Sequence, residues 1–487
     1  MAVKNKVQLI TYADSLGGDL KNLNTVLTDY MKDVFKGGVH ILPPFPSSGD
    51  RGFAPIDYFQ IEESFGGWED IKTISNTHDV VIDLMVNHIS RQSQYVKDFL
   101  EKGDDSVYSD LFITLDKIWE DGEPVDEDIA KIFLRRTRPY SEYEAKDGRK
   151  IKLWTTFGKT EPSEQIDVDI HSETAKKMFE DILKNFSQQG IKIVRLDAIG
   201  YVIKKMGTSC FYVEPEIYEF LDWIFAVADK YGLELLPEVH SHYSIQYKLA
   251  ERGAWIYDFI LPYKILESIM IKEFDKLAEY LNERPSKQFT MLDCHDGVPL
   301  IPDLNDLVDV GRAKKVVELC EQRGSNFSRV VSEAHKLEGG FDVHQIRGTI
   351  YSILNENDDD YIAARALQLF APGIPQVYYV GALAGKNVYE RAEQTGDGRE
   401  INRYNYSLDE VKTEIQRDVV KRLIKLINFR NEHPSFDGEF SVDEVLDSGI
   451  VMSWKKNDDF SKLTIDMDKG ELLIEYSENG EIKNYYV

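Results

Sequence analysis

Cysteine is scarce in this chain. Only Cys210, Cys294 and Cys320 occur among 487 residues. They are too few and too scattered for a disulfide framework or a zinc site, and they suit a reducing compartment. Long apolar runs are also missing. No stretch reaches the roughly 18 residues a membrane-spanning helix needs, and the opening Met1-Ala-Val-Lys-Asn-Lys-Val-Gln has no apolar secretory segment. A cytoplasmic protein is expected. Positive charge is outnumbered, with 58 Lys and Arg against 85 Asp and Glu, a formal net charge of −27. Such a chain repels nucleic acid and anionic lipid surfaces, which excludes both as partners. It also means that a phosphate-bearing substrate would need cations or N–H donors gathered locally against the global field. There is no low-complexity tract. What is there is ordinary for a folded chain, 42% apolar and 29% charged. The length exceeds the ~250–300 residues of one core, so one large domain with insertions, or two to three domains, is expected.

Short β-rich runs alternate with helical patterns. The runs are 7–13, 38–43, 79–86, 191–197, 233–238, 255–261, 288–293 and 374–380. Segments 20–35, 68–76, 172–188, 215–230, 263–282, 359–369 and 418–432 carry apolar residues at helical spacing. Eight strands alternating with helices predict a closed parallel (β/α)8 TIM barrel. Two gaps are too long for simple loops. The expected layout is therefore barrel at 1–87, an inserted subdomain at 88–170, barrel at 171–297, a second insertion at 298–358 and barrel at 359–435. Beyond Phe436 short alternating runs predict a small antiparallel C-terminal β domain, 436–487.

In such barrels catalytic groups stand at the C-terminal strand ends. Four of those ends here carry Asn87-His88, Arg195-Leu-Asp197, Glu238-Val-His240 and His295-Asp296. A lone Asp at a strand end more often caps a loop, and a lone His is often a satisfied core residue. The conjunction at four separate ends points to chemistry. Glycoside cleavage needs one carboxylate to attack the anomeric carbon and one carboxylic acid to protonate the leaving oxygen. Arg195 and Asp197, two apart, share a strand face, so the arginine is expected to lower the Asp197 pKa and hold it ionised as nucleophile. Glu238 follows the apolar Leu235-Leu236-Pro237, which suits a raised pKa and acid work. Asp296 beside His295 suits sugar hydroxyls, and a third carboxylate can stabilise charge on the ring.

Asp83-Leu-Met-Val-Asn-His88, Val-Arg-Leu-Asp197-Ala, Leu-Pro-Glu238-Val-His and Leu-Asp-Cys-His295-Asp296-Gly resemble the four signature regions of the α-amylase superfamily, glycoside hydrolase family 13. The chain resembles, more narrowly, its sucrose phosphorylase subfamily. Gly38-Val-His-Ile-Leu-Pro-Pro-Phe-Pro-Ser-Ser-Gly-Asp50-Arg-Gly-Phe53, Gly207-Thr-Ser-Cys-Phe, Pro375-Gln-Val-Tyr-Tyr-Val-Gly-Ala-Leu-Ala-Gly-Lys and Gly398-Arg399-Glu-Ile-Asn-Arg403 carry that likeness. The resemblance implies a hexosyl transfer by double displacement. Asp197 would form a β-glucosyl-enzyme while Glu238 acts first as acid and then as base, with Asp296 as the third catalytic carboxylate. Inorganic phosphate would give α-glucose 1-phosphate. It further implies that Asp50, Phe53, His88, Phe157, Gln165, Arg195, His295 and Arg399 hold the donor sugar. Arg135, Asp342, His344 and Gln345 would form the acceptor and phosphate side. No metal or other cofactor is implied, and a homodimer is admitted.

The acceptor loop departs from plain sucrose phosphorylases, which typically have Tyr where this chain has His344. With the basic run Arg135-Arg136-Thr-Arg138, the loop resembles the subfamily members acting on sucrose 6'-phosphate, since arginine forks suit a phosphate. Plain sucrose or glucosylglycerate as substrate, and a hydrolase resolving the same intermediate with water, remain the competing expectations. Arg347 stands where the subfamily often has Asn, and the sequence assigns it no role.

Overall fold

The computed structural model describes residues 3–300, 303–304, 306–329 and 341–486. The second expected insertion therefore lies partly outside the described residues. Eight strands make one sheet: β1 Gln8–Thr11, β2 Gly38–Ile41, β3 Val80–Met85, β4 Ile191–Asp197, β5 Glu234–Pro237, β6 Ile256–Asp258, β7 Gln288–Thr290 and β8 Ile374–Tyr378. Their order, β6-β7-β8-β1-β2-β3-β4-β5, is the cyclic succession of a (β/α)8 barrel. Each strand falls inside an expected run, because each is a buried stretch of β-branched and other apolar residues bounded by turn residues. Among the described residues no helix is long and apolar enough to cross a membrane.

The chain divides into two compact units. The first contains Ile41–Val239. Here β3, β4 and β5 run parallel, with Asp83 opposite Arg195, Met85 opposite Asp197, and Leu196 opposite Pro237. Helix Glu173–Gln188 starts at Ser172, whose hydroxyl accepts from the Ala175 N–H, and buries Met178, Phe179, Ile182, Leu183 and Phe186. Beyond β3 the chain forms a strand His88–Ser90 antiparallel to Gln165–Asp167, and a hairpin of Tyr140–Glu144 with Lys150–Trp154. Ile113, Leu115, Trp119, Ile132, Trp154 and Cys210 build a separate small core there. A buried Lys204 Nζ pairs with Asp167 at 2.7 Å and donates to Asn87 Oδ1.

The second unit contains Ala2–His40, His240–Arg329 and Val343–Val487. In it β6, β7, β8 and β1 are parallel neighbours. Two elements differ from expectation. The helix expected over 263–282 is two, Leu261–Ile271 and Asp275–Glu283, because Lys272 turns left-handed at φ 58°. Arg312 braces the break, lying 3.4 Å from Glu267 and 3.0 Å from Asp275. The helix expected over 20–35 runs only from Leu20 to Thr25 before loosening into a π turn, Val26–Tyr30. Helices Tyr243–Glu251 and Val310–Gln322 were not anticipated. Five antiparallel strands between Glu439 and Tyr486 pair in sequence order. They are tied down by the Trp454 indole N–H, which donates to the Phe370 carbonyl, and by Phe429 edge-on to Tyr476.

Candidate active site

In the first unit the end of β4 governs the arrangement. Arg195 Nη1 lies 2.8 Å from Asp197 Oδ1 and 2.5 Å from Asp83, and Nη2 lies 3.9 Å from Glu238 Oε1. One buried guanidinium thus faces three carboxylates. Ala198, next in the chain, adopts φ 58°, a left-handed turn uncommon outside glycine. That turn aims the Ala198 N–H at Glu238 Oε2, 3.3 Å away. Asp197 and Glu238 keep about 14% and 15% of their side-chain surface exposed, while Asp83 has none. Asp197 and Glu238 are therefore the reachable pair, and Asp83 anchors the arginine.

Arg195 does pull the Asp197 pKa down, as expected, but it does not set the net direction. Burial pushes the Asp197 carboxyl up, against the opposing pull of Arg195 and His88. Desolvation of the charged form outweighs the ion pair because the group is enclosed.

The other candidates of this unit gather around a loop and the insertion. Asp50 and Arg51 sit at φ 49° and 50° and lead into Gly52 at φ 106°. A Cβ on Gly52 would lie 2.2 Å from the Pro43 carbonyl oxygen, so only glycine closes this turn. The turn presents Asp50, 3.7 Å from Lys159, and Phe53, whose ring lies under the Arg195 guanidinium at 5.9 Å. His88 Nε2 and Gln165 Nε2 both lie 2.9 Å from the Phe53 carbonyl. His88 must therefore carry its proton on Nε2 if it donates there. The Phe157 ring leans on His88 at 5.5 Å and stands edge-on to Tyr201 at 4.9 Å. The basic run divides. Arg136 is committed locally to Ser141, Thr155, the Thr160 carbonyl and Glu161. Arg138 covers Tyr140. Arg135 lies 6.0 Å from the Phe133 ring centre, and burial raises the Tyr201 pKa to about 12 against the opposing charge of Arg135.

The second unit holds its own group. Asp296 lies 3.4 Å from Arg399, 3.8 Å from Arg403 and 3.7 Å from His295. Arg403 donates twice to the His295 carbonyl and covers the Tyr12 ring, which meets His295 edge-on. Asp397 accepts from Arg399 at 3.2 Å. His344 and Gln345 lie on strand Val343–Arg347, directly after Asp342. The His344 ring stacks on His240 at 4.9 Å, and Gln345 Nε2 approaches His240 Nδ1 at 3.4 Å.

Asp83, Tyr201, Arg403 and Tyr12 join these groups without having been singled out, whereas His240 stood at one of the four strand ends. Asp83 and Arg403 stood inside the quoted motifs and were legible there. Tyr201 and Tyr12 carried no spacing signal.

The fold and this residue set define a class. The chain belongs to the α-amylase family, whose catalytic-domain model matches residues 6–260. Among individual proteins, it is 58% identical over 489 residues to the sucrose 6(F)-phosphate phosphorylase of Thermoanaerobacterium thermosaccharolyticum, covering all of both chains. It is 42% identical to the sucrose phosphorylase of Streptococcus mutans, covering 99% of each. The crystal structure of sucrose 6F-phosphate phosphorylase from Thermoanaerobacter thermosaccharolyticum superposes with a TM-score of 0.98, over 100% of this chain and 99% of that one, at 58% identity.

Proposed function

We propose that this enzyme transfers a glucosyl group from sucrose 6'-phosphate to inorganic phosphate, with retention, giving α-D-glucose 1-phosphate and fructose 6-phosphate. The observation that carries the chemistry is the shared guanidinium of Arg195, with Asp197 and Glu238 on its two terminal nitrogens. Full-length identity of 58% to a sucrose 6(F)-phosphate phosphorylase supports the donor. In this reading Asp197 attacks the anomeric carbon and Glu238 protonates the departing fructosyl oxygen. Phosphate then attacks the β-glucosyl-Asp197 ester, Glu238 takes the proton, and two inversions leave the α configuration. Asp50, Phe53, His88, Phe157, Gln165 and Arg195 from the first unit are assigned to the glucosyl group, with His295, Asp296 and Arg399 from the second. Arg135, Asp342, His344 and Gln345 are assigned to the acceptor side. The reaction needs no metal. The layout of barrel, insertions at 88–170 and 298–358, and C-terminal domain from 436 belongs to the same proposal, as does a cytoplasmic enzyme on small-molecule substrates, with a homodimer compatible.

The direct test supplies inorganic phosphate with sucrose 6'-phosphate or sucrose in parallel and measures α-glucose 1-phosphate. Higher kcat/KM on the phosphorylated donor is expected. Steady glucose release at saturating phosphate would remove the phosphorylase reading. The second reading, plain sucrose, is favoured by the 42% identity to a sucrose phosphorylase. It predicts the reverse preference.

His344→Tyr should shift the kcat/KM ratio towards sucrose by about tenfold or more, the worth of one charge-assisted hydrogen bond. An unchanged ratio would take His344 out of donor choice.

A further inference from the structure

Arg347 ends the strand Val343–Arg347, two residues from Gln345 and so on the same strand face. Its Nε is buried and has no hydrogen-bond partner. Its guanidinium makes no hydrogen bond or ion pair with any described residue. The charges acting on it are those of Arg399, Asp397, Asp296 and Arg403. Three guanidiniums therefore face two carboxylates. Both carboxylates are already engaged, since Asp397 and Asp296 lie 3.2 Å and 3.4 Å from Arg399, and Asp296 also lies 3.8 Å from Arg403. In a chain of net charge −27, a half-buried arginine with a buried Nε and no paired anion among the described residues is out of keeping with the surplus of carboxylates. Buried charges are ordinarily paired, and arginine keeps its charge even where burial opposes it.

The turn that carries Arg399 lies directly against this side chain. Asn326 Nδ2 donates to the Gly398 carbonyl at 3.0 Å. A Cβ on Gly398 would stand 2.8 Å from Asn326 Oδ1 and 3.0 Å from Arg347 Nη1. Glycine permits the approach that sets Arg347 beside Arg399.

We infer that Arg347 forms an oxyanion subsite that takes a phosphate group beside the sugar-binding Arg399, with Arg347 supplying a charge that is unmatched among the described residues. The inference deepens the proposed reaction and rests on it. A guanidinium fork matches two oxygens of a tetrahedral anion. The phosphate is either the free inorganic ion that attacks or the phosphoryl group on the leaving fructose.

Calorimetric titration of wild type, Arg347→Met and Arg347→Lys tests it, with inorganic phosphate, fructose 6-phosphate and, as uncharged control, fructose. The Kd of at least one phosphate-bearing probe should rise tenfold or more in Arg347→Met and be partly restored in Arg347→Lys, with fructose unaffected. Weakening confined to inorganic phosphate assigns the subsite to the attacking ion. Weakening confined to fructose 6-phosphate assigns it to the leaving sugar. Arg347→Met should keep the wild-type Tm, because no partner is stranded, and Arg347→Gln substitutes if the Met variant does not fold. Equal Kd values in wild type and variant, no binding of either probe by wild type, or a Tm loss of several degrees with unchanged Kd would each overturn the inference. These readouts need no turnover. Failure of wild type to make glucose 1-phosphate would count against the proposed reaction and not against the subsite.

Discussion

Asp197→Asn is expected to lower kcat/KM by about 10⁴-fold or more, because it removes the atom proposed to bond to the sugar. The amide keeps the shape of the carboxylate, and Arg195 retains Asp83 at 2.5 Å, so the fold should survive. The direction of the pKa shift adds a second readout. Burial holds the Asp197 pKa above its ordinary value. A carboxyl that binds its proton more tightly folded than unfolded favours folding at low pH, and that advantage is lost as pH rises through the folded pKa. At neutral pH the ionised group therefore opposes folding, and Asp197→Asn should melt at or above the wild-type Tm. The same shift should place the acid limb of the wild-type kcat/KM profile above the ordinary aspartate range, since protonation silences the nucleophile. Substantial residual turnover in Asp197→Asn, measured as glucose 1-phosphate release, would overturn the nucleophile assignment.

Glu238→Gln should lower kcat/KM on the natural donor by roughly 10²–10⁴-fold, the usual worth of a positioned general acid and base. The diagnostic is the leaving group. A donor such as α-glucosyl fluoride needs little protonation to depart, so the loss on it should be at least about tenfold smaller. The Ala198 N–H beside Glu238 Oε2 can donate equally to an amide oxygen, so positioning is kept while the proton is lost. Equal losses on both donors would remove Glu238 from the acid role and leave it a positioning residue.

The eight barrel strands were legible because each is a short apolar run at a repeating interval, a pattern that burial on both faces enforces. The helix break at Lys272 was not. Apolar spacing continues across it, and what splits the helix is a left-handed residue braced by the distant Arg312. Helix Tyr243–Glu251 was missed because it buries little of its own surface, with only Gln246 and Leu249 enclosed. Among site residues, Arg195 and Asp197 were readable as a pair from their two-residue spacing. The sign of the Asp197 shift was not, because desolvation depends on enclosure by residues far apart in the chain. The basic run 135–138 read as a cluster of three like groups. The fold spends Arg136 on the hairpin and Glu161, a distinction that needs coordinates. Arg347 was visible as a departure from the subfamily, yet its lack of partners among the described residues is a property of packing alone.

The contact between Gly398 and the strand pair Asn326–Arg329 and Val343–Arg347 bears on attempts to re-engineer the donor. Grafting a foreign stretch around His344 would carry along position 347 and disturb the seat of Arg399. An exchange meant to alter which leaving sugar is accepted would then also perturb glucosyl or phosphate handling. Chimeras would need to swap 326–329, 343–347 and 397–403 as a single cassette.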